Sequence, residues 1–280
     1  VSIIKNCLIV NLQVGAWTGY RLDKGTTAKL TSEANAAPDA ARVSKHVVPK
    51  EAMAGIAKAQ TALRQHFYSQ TLPWKDNGDR LLTRKSYLPF IERFNELKAE
   101  VEREVDLFID EGFLVSKQTA AFRMGDLFDE RDYPEPETLR DKFYINLDVD
   151  GVPDAFDVRL NKDAEVLQAR VGKAVEGLWK KLAEPLKHFS DKMNSDQIFR
   201  DSTVNNLREI AALIPGLNFM GDENLSVIQR EIERELVAYD AKDLRKSPDT
   251  RTKIGAKAQE ILDRMNGYMG IGSGDDEDEF

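Results

Sequence analysis

Leu88, Ile91, Phe94, Leu97, Val101, Val105 and Phe108 recur at intervals of 3, 3, 3, 4, 4 and 3. That spacing draws one apolar stripe along a helix of about six turns. The other faces carry Glu92, Arg93, Glu96, Lys98, Glu100 and Arg103. A stripe this long must be covered by another long helix or by a partner, so it limits the folds open to the chain. A second pattern starts after Asn161, a suitable N-cap, and places Val171, Val175, Leu178, Leu182, Leu186 and Met193 on one face. Pro185 lies inside it and predicts a kink. The two patterns together predict an antiparallel helical hairpin.

Shorter elements surround this pair. Residues 2–14 are rich in Ile, Val and Leu and read as a strand. Residues 16–27 and the small, polar 31–43 read as loop. Pro49 fits the first turn of a helix running to about residue 70. Pro73 and Asn77-Gly78 break the chain again. Phe143, Ile145, Leu147 and Val149 alternate with polar residues up to Asp150-Gly151, and Phe156, Val158 and Leu160 follow. This predicts a β-hairpin. Helices are expected at about 201–213, 224–240 and 249–266, the last opened by Ser247-Pro248 and stopped by Gly267. The fold class is α+β, mainly α, with two long amphipathic helices, a small antiparallel sheet and a flexible acidic tail. The expected divisions are a basic region over 1–160, a helical region over 161–268 and a tail over 269–280.

Charge is uneven. Residues 1–100 hold 15 Lys and Arg against 9 Asp and Glu, a net of +6. Residues 101–200 and 201–280 each carry a net of −7. A basic first third with an acidic end fits an electrostatic binding surface and a tail that competes for it. Uneven surface charge without a function explains it as well.

Motifs for common chemistry are absent. His46, His66 and His188 stand far apart, and the single cysteine, Cys7, forms no pair, so no zinc pattern exists. There is no Walker-type phosphate loop, no dinucleotide fingerprint and no nucleophile elbow. Asp148, Asp150, Asp154 and Asp157 do not follow Ca²⁺-loop spacing, and hairpin turn chemistry accounts for Asp150-Gly151. No cofactor or metal is expected, and the chain reads as a non-enzyme. The start of the sequence shows no signal-peptide pattern, and no apolar run is long enough to span a bilayer. One cysteine fits a reducing cytoplasm.

Two segments interleave aromatics with cations. The first offers Trp17, Tyr20, Arg21 and Lys24. The second offers Arg64, Tyr68, Trp74, Lys75, Arg80, Arg84 and Lys85, together with His66 and Phe67. Proteins that hold single strands without sequence preference use these ingredients, with cations on phosphates and aromatics stacked on bases. Each aromatic has a competing role in a core. Trp17 and Trp74, expected in loops beside Arg21 and Lys75, are the preferred stacking residues.

The sequence ends in Asp275, Asp276, Glu277, Asp278, Glu279 and Phe280 after a Gly-Ser leader. This resembles the acidic, Phe-ended tips of bacterial and phage single-stranded DNA-binding proteins. The resemblance implies that Phe280 anchors in a pocket on replication or repair proteins, with Asp275 to Glu279 as an electrostatic collar. Glu279 stands where the bacterial pattern has proline. The blocks at 48–82, 87–112, 128–143 and 152–160 are similar to an uncharacterised family encoded by phages and mobile elements, often near MoxR-type AAA+ ATPases. That similarity implies no catalytic residues. Three functions follow as expectations. The first is a phage-type single-stranded DNA-binding or replication–recombination accessory protein, although a five-stranded barrel is not apparent. The second is a helical adaptor or regulator of an AAA+ ATPase. The third is a structural coiled-coil protein, and homo-oligomers are compatible with the stripe.

Overall fold

The structure is a computed structural model and describes residues 5–152, 161–195 and 198–268, with side chains from 165 onward in the second segment. The chain is mainly helical with a small antiparallel sheet. In order, it forms β1 (Cys7–Gly15), β2 (Tyr20–Leu22), α1 (Lys24–Glu33), β3 (Ser44–His46), α2 (Ala54–Gln70), β4 (Leu72–Pro73), β5 (Arg80–Thr83) and α3 (Arg84–Leu107). A π-helical turn (Phe108–Phe113), α4 (Leu114–Met124), α5 (Pro136–Arg140) and β6 (Tyr144–Gly151) follow. The remainder is α6 (Asn161–Met193), α7 (Asp201–Leu217), α8 (Glu223–Glu231), α9 (Ala241–Lys246) and α10 (Pro248–Tyr268). One sheet has the order β4-β5-β1-β6, and β2 pairs with β3 separately. The expected second hairpin strand at 156–160 lies outside the described residues.

Two compact units divide the chain. The first takes the described residues of Val1–Asn11, Tyr68–Phe90 and Asp148–Phe280. The second takes Leu12–Phe67 and Ile91–Leu147.

In the first unit, β1 pairs antiparallel with β5, Cys7 opposite Thr83 and Val10 opposite Arg80. β5 also pairs with β4, whose Pro73 is tolerated because β4 is the edge strand. α6 packs along α7 and α10. Its stripe is as read at Leu178, Leu182, Leu186 and Met193, all buried, and it widens to include Ala174, Trp179 and Phe189. The expected hairpin between the two long helices is not confirmed, because α7 and α10 are the helices that cover α6. The core is aliphatic around Leu207, Ile214, Leu225, Ile232 and Ile261.

In the second unit, the α3 stripe is buried at Phe94, Leu97, Val101 and Val105, and Phe108 continues it into the π turn. Leu88, expected at the start of the stripe, is 68 % exposed. Phe90, which like Leu88 belongs to the first unit, is buried: it stands four residues before Phe94 on the same helix face, whereas Leu88 stands six before it, about 120° round the helix. A cluster of rings forms the centre of this unit. Trp17 meets Phe113 edge-on at 5.8 Å and lies 6.2 Å from Phe108, and Phe113 lies 6.1 Å from Tyr133. Such pairs add about 0.5–1.5 kcal/mol beyond burial. Tyr133 donates its hydroxyl hydrogen to the Val47 carbonyl at 2.7 Å, which satisfies the polar end of a buried ring. The polar stretch expected as loop contains α1, started by Asp23, whose carboxylate accepts from the Thr26 amide at 2.8 Å.

Candidate nucleic-acid interface

The eleven residues proposed to bind a strand divide between the units. In the second unit, Trp17 is buried in the ring cluster and is not available for stacking on a base. Its place after β1 turns it inward. Tyr20 is exposed but covers His46 across the β2-β3 pair, with ring centroids 4.1 Å apart. Arg21 is exposed and donates from Nε to the Asp132 carbonyl at 3.3 Å. Lys24 is exposed in the first turn of α1, and Arg64 is half-buried on α2.

In the first unit, Trp74 is fully buried with Leu72 and Leu81. It is a packing anchor after Pro73, so the expectation of an exposed stacking ring is corrected here too. Among the described residues, its Nε1 has no hydrogen-bond partner. Lys75 is committed to Asp79 at 2.8 Å, and Asn11 holds the same carboxylate at 3.0 Å. Arg80 is half-buried. Its Nε donates to Thr71 Oγ1 at 2.7 Å, its second nitrogen donates to the Thr71 carbonyl at 2.9 Å, and its guanidinium lies 4.9 Å from the Tyr68 ring centre. Tyr68 is 51 % exposed.

Lys181 of α6 joins this cluster. Its ammonium donates to the Tyr68 carbonyl at 2.6 Å and lies 3.4 Å from the Ser69 carbonyl. Burial, with the nearby Arg80 charge adding to it and Glu184 opposing it, lowers its pKa from 10.5 to about 8. Arg80 is also lowered by burial, but a guanidinium remains charged. Nothing in the linear order pointed to Lys181, which belongs to an acidic stretch of chain about a hundred residues further on.

β5 leads from Arg80 directly into α3, and four strand residues cover roughly 13 Å. At its end, Arg84 and Lys85 open α3 and are exposed. Neither forms an ion pair among the described residues, and no acidic residue stands in the first turn. With Asn6, Thr83, Asn218, Phe219 and Met220 they line a cavity of about 370 Å³. Its wall is fixed from below. The Thr83 hydroxyl donates to the Gly216 carbonyl at 2.7 Å and lies 2.9 Å from the Ser86 hydroxyl. Asn218 pins the turn after α7, donating to the Asp222 carbonyl at 2.9 Å and accepting from the Asp222 amide at 2.8 Å. Gly221 has φ +69°, a conformation that favours glycine, which lets that turn close beside Met220. Two free cations at a helix N-terminus form a setting that attracts phosphate.

No family model, curated protein or solved structure matches this chain. The site therefore rests on its own chemistry. Cys7, behind this wall, is buried, and its thiol is pushed up to about 11 by that burial against the opposing Arg84 charge, so it stays protonated at neutral pH. Among the described residues, no group of three or more His, Cys, Asp or Glu is placed to hold a metal, and no helix is long and apolar enough to cross a membrane. Asp154 and Asp157, considered above as ligands, lie outside the described residues. So do Asp275, Asp276, Glu277, Asp278, Glu279 and Phe280.

Proposed function

We propose that this chain is a non-enzymatic single-stranded DNA-binding accessory protein of phage or bacterial replication and recombination. Arg84 and Lys85 take backbone phosphate at the α3 terminus. Tyr68, backed by Arg80 and Lys181, offers a single stacking platform one strand length away. The observation that carries the reading is the exposed Arg84-Lys85 pair, unpaired among the described residues, at a cavity bordered by a helix N-terminus. With Trp17 and Trp74 in the cores, phosphate contacts supply most of the affinity and stacking supplies little. Asp275 to Glu279 compete with phosphate for these cations, and Phe280 recruits a replication or repair partner. A reducing cytoplasm is the compartment in which a lone free thiol is stable.

The test is fluorescence anisotropy with a labelled oligonucleotide over a salt series, comparing the full chain with one ending at Gly274. The expected result is binding that weakens with salt and tightens when the tail is removed. Absence of binding by both forms at low salt contradicts the proposal.

A further inference from the structure

The second unit carries a groove of about 530 Å³ whose walls are all helical. α2 and the 3-10 turn before it (Lys50–Met53) form one side, and α3, the π turn and α4 form the other. Leu107 and Val115 stand at its lips, 55 % and 58 % exposed. Val115, Thr119 and Phe122 follow at i, i+4 and i+7 on α4, so Phe122, 97 % exposed, extends the same apolar face.

Small residues line the floor: Ala52, Gly55, Gly112 and Ser116. A Cβ at Gly112 would approach Phe108 to 3.2 Å, and one at Gly55 would collide with the Glu104 carboxylate. The hydroxyls are turned inward. Ser116 donates to the Gly112 carbonyl at 2.6 Å and Thr119 to the Val115 carbonyl at 2.9 Å. The Glu104 carboxylate fills the space over Gly55 and the Phe108 ring crowds Gly112, so the apolar contact open to an occupant comes from Leu107 and Val115 at the lips, with no strand edge to extend. That combination suits a helix laid in a groove.

Charge selects which helix. Among the described residues, Glu51, Glu104 and Glu111 line the groove and no cation does. None of the three forms an ion pair among the described residues. Phosphate and acidic peptides are repelled, and a row of lysines or arginines beside an apolar stripe is complemented. The π turn that carries Gly112 belongs to a class of helix irregularity frequently found at functional sites. We infer that this groove docks a cationic amphipathic helix of a partner protein, independently of strand binding by the first unit.

The experiment uses the full chain and two fluorescein-labelled helical peptides of about 18 residues, roughly 27 Å long. Both carry leucine at i, i+3, i+4 and i+7. One has Lys and Arg beside the stripe, and its twin has Glu at those places. The cationic peptide is expected to bind at least about tenfold more tightly than its twin. The double change Leu107→Ser with Val115→Ser should weaken it about tenfold or more, as should Glu51→Gln with Glu104→Gln and Glu111→Gln. Glu137→Gln, an exposed acid that does not line the groove, should change nothing. Binding should persist in Arg84→Ala with Lys85→Ala, which separates this result from the strand-binding proposal. Equal affinity for the twins, undiminished binding by the groove variants, or no binding of the cationic peptide overturns the inference. Self-association abolished by the Leu107 and Val115 changes, in the absence of peptide, assigns the groove to a second copy and overturns it too.

Discussion

Trp74 of the first unit and Trp17 of the second are both buried, yet they sit in different chemistry. Trp74 lies in a core cluster rich in leucine and isoleucine, and among the described residues its indole N–H is unpaired. Trp17 stands among rings whose edges and faces complement one another. The surfaces of the two units differ as well. The first unit presents two free cations at a helix start, and the second presents an acid-lined apolar groove. The contrast shows that a tryptophan next to cations in sequence says little about stacking. What surrounds the backbone on each side decides whether the ring turns inward.

The largest expected effects test that burial. Trp74→Ala and Trp17→Ala should each destabilise by about 3–5 kcal/mol in urea unfolding. Trp74→Phe should cost distinctly less than Trp74→Ala, because both remove the unpaired donor but phenylalanine keeps a ring in the space. An unfolding midpoint untouched by Trp74→Ala, with weakened oligonucleotide binding, would return Trp74 to the surface.

A smaller contrast lies within α6. A Cβ at Gly177 would come within 2.7 Å of the rigid Pro73 ring, whereas Gly172 faces open space. Gly177→Ala should therefore destabilise by about 1–3 kcal/mol. Gly172→Ala should stabilise by up to about 1 kcal/mol through helix propensity. Equal effects from the two would contradict the packing of α6 on β4.

The effect of Lys181 is read through pH. Its folded pKa of about 8 lies below its ordinary 10.5, so the fold disfavours the ammonium. At pH values well below 8 both states hold the proton and the whole penalty is present. As pH rises from about 8 to 10.5, the unfolded chain holds more protons than the folded one, so stability rises. Wild type should therefore gain on Lys181→Met over that window in paired unfolding experiments. Parallel curves would place Lys181 in water.

Much of this fold was legible because period is a strong signal. The buried faces were readable from Phe94 to Phe108 on α3 and from Leu178 to Met193 on α6, as was the start near Pro49, but Leu88 was misplaced and Phe90 missed. α1 was not, because Lys24–Glu33 is polar throughout and declares itself only through the Asp23 cap. β4 was hidden by its two-residue length and by Pro73, acceptable only at a sheet edge. In the candidate site, Arg84 and Lys85 were legible as cations, but their freedom and the commitment of Lys75 to Asp79 depend on tertiary placement. Lys181 reaches Tyr68 across 113 residues of sequence, a relation no local pattern encodes.

The most direct test of the central claim is the salt dependence of oligonucleotide binding in Arg84→Ala with Lys85→Ala, beside wild type. Each phosphate contact on a single strand contributes about 0.7 to the slope of log affinity against log salt concentration. Loss of two contacts should make the slope shallower by about 1.4 and weaken binding at low salt. A slope and affinity equal to wild type would contradict the assignment of phosphate binding to the start of α3.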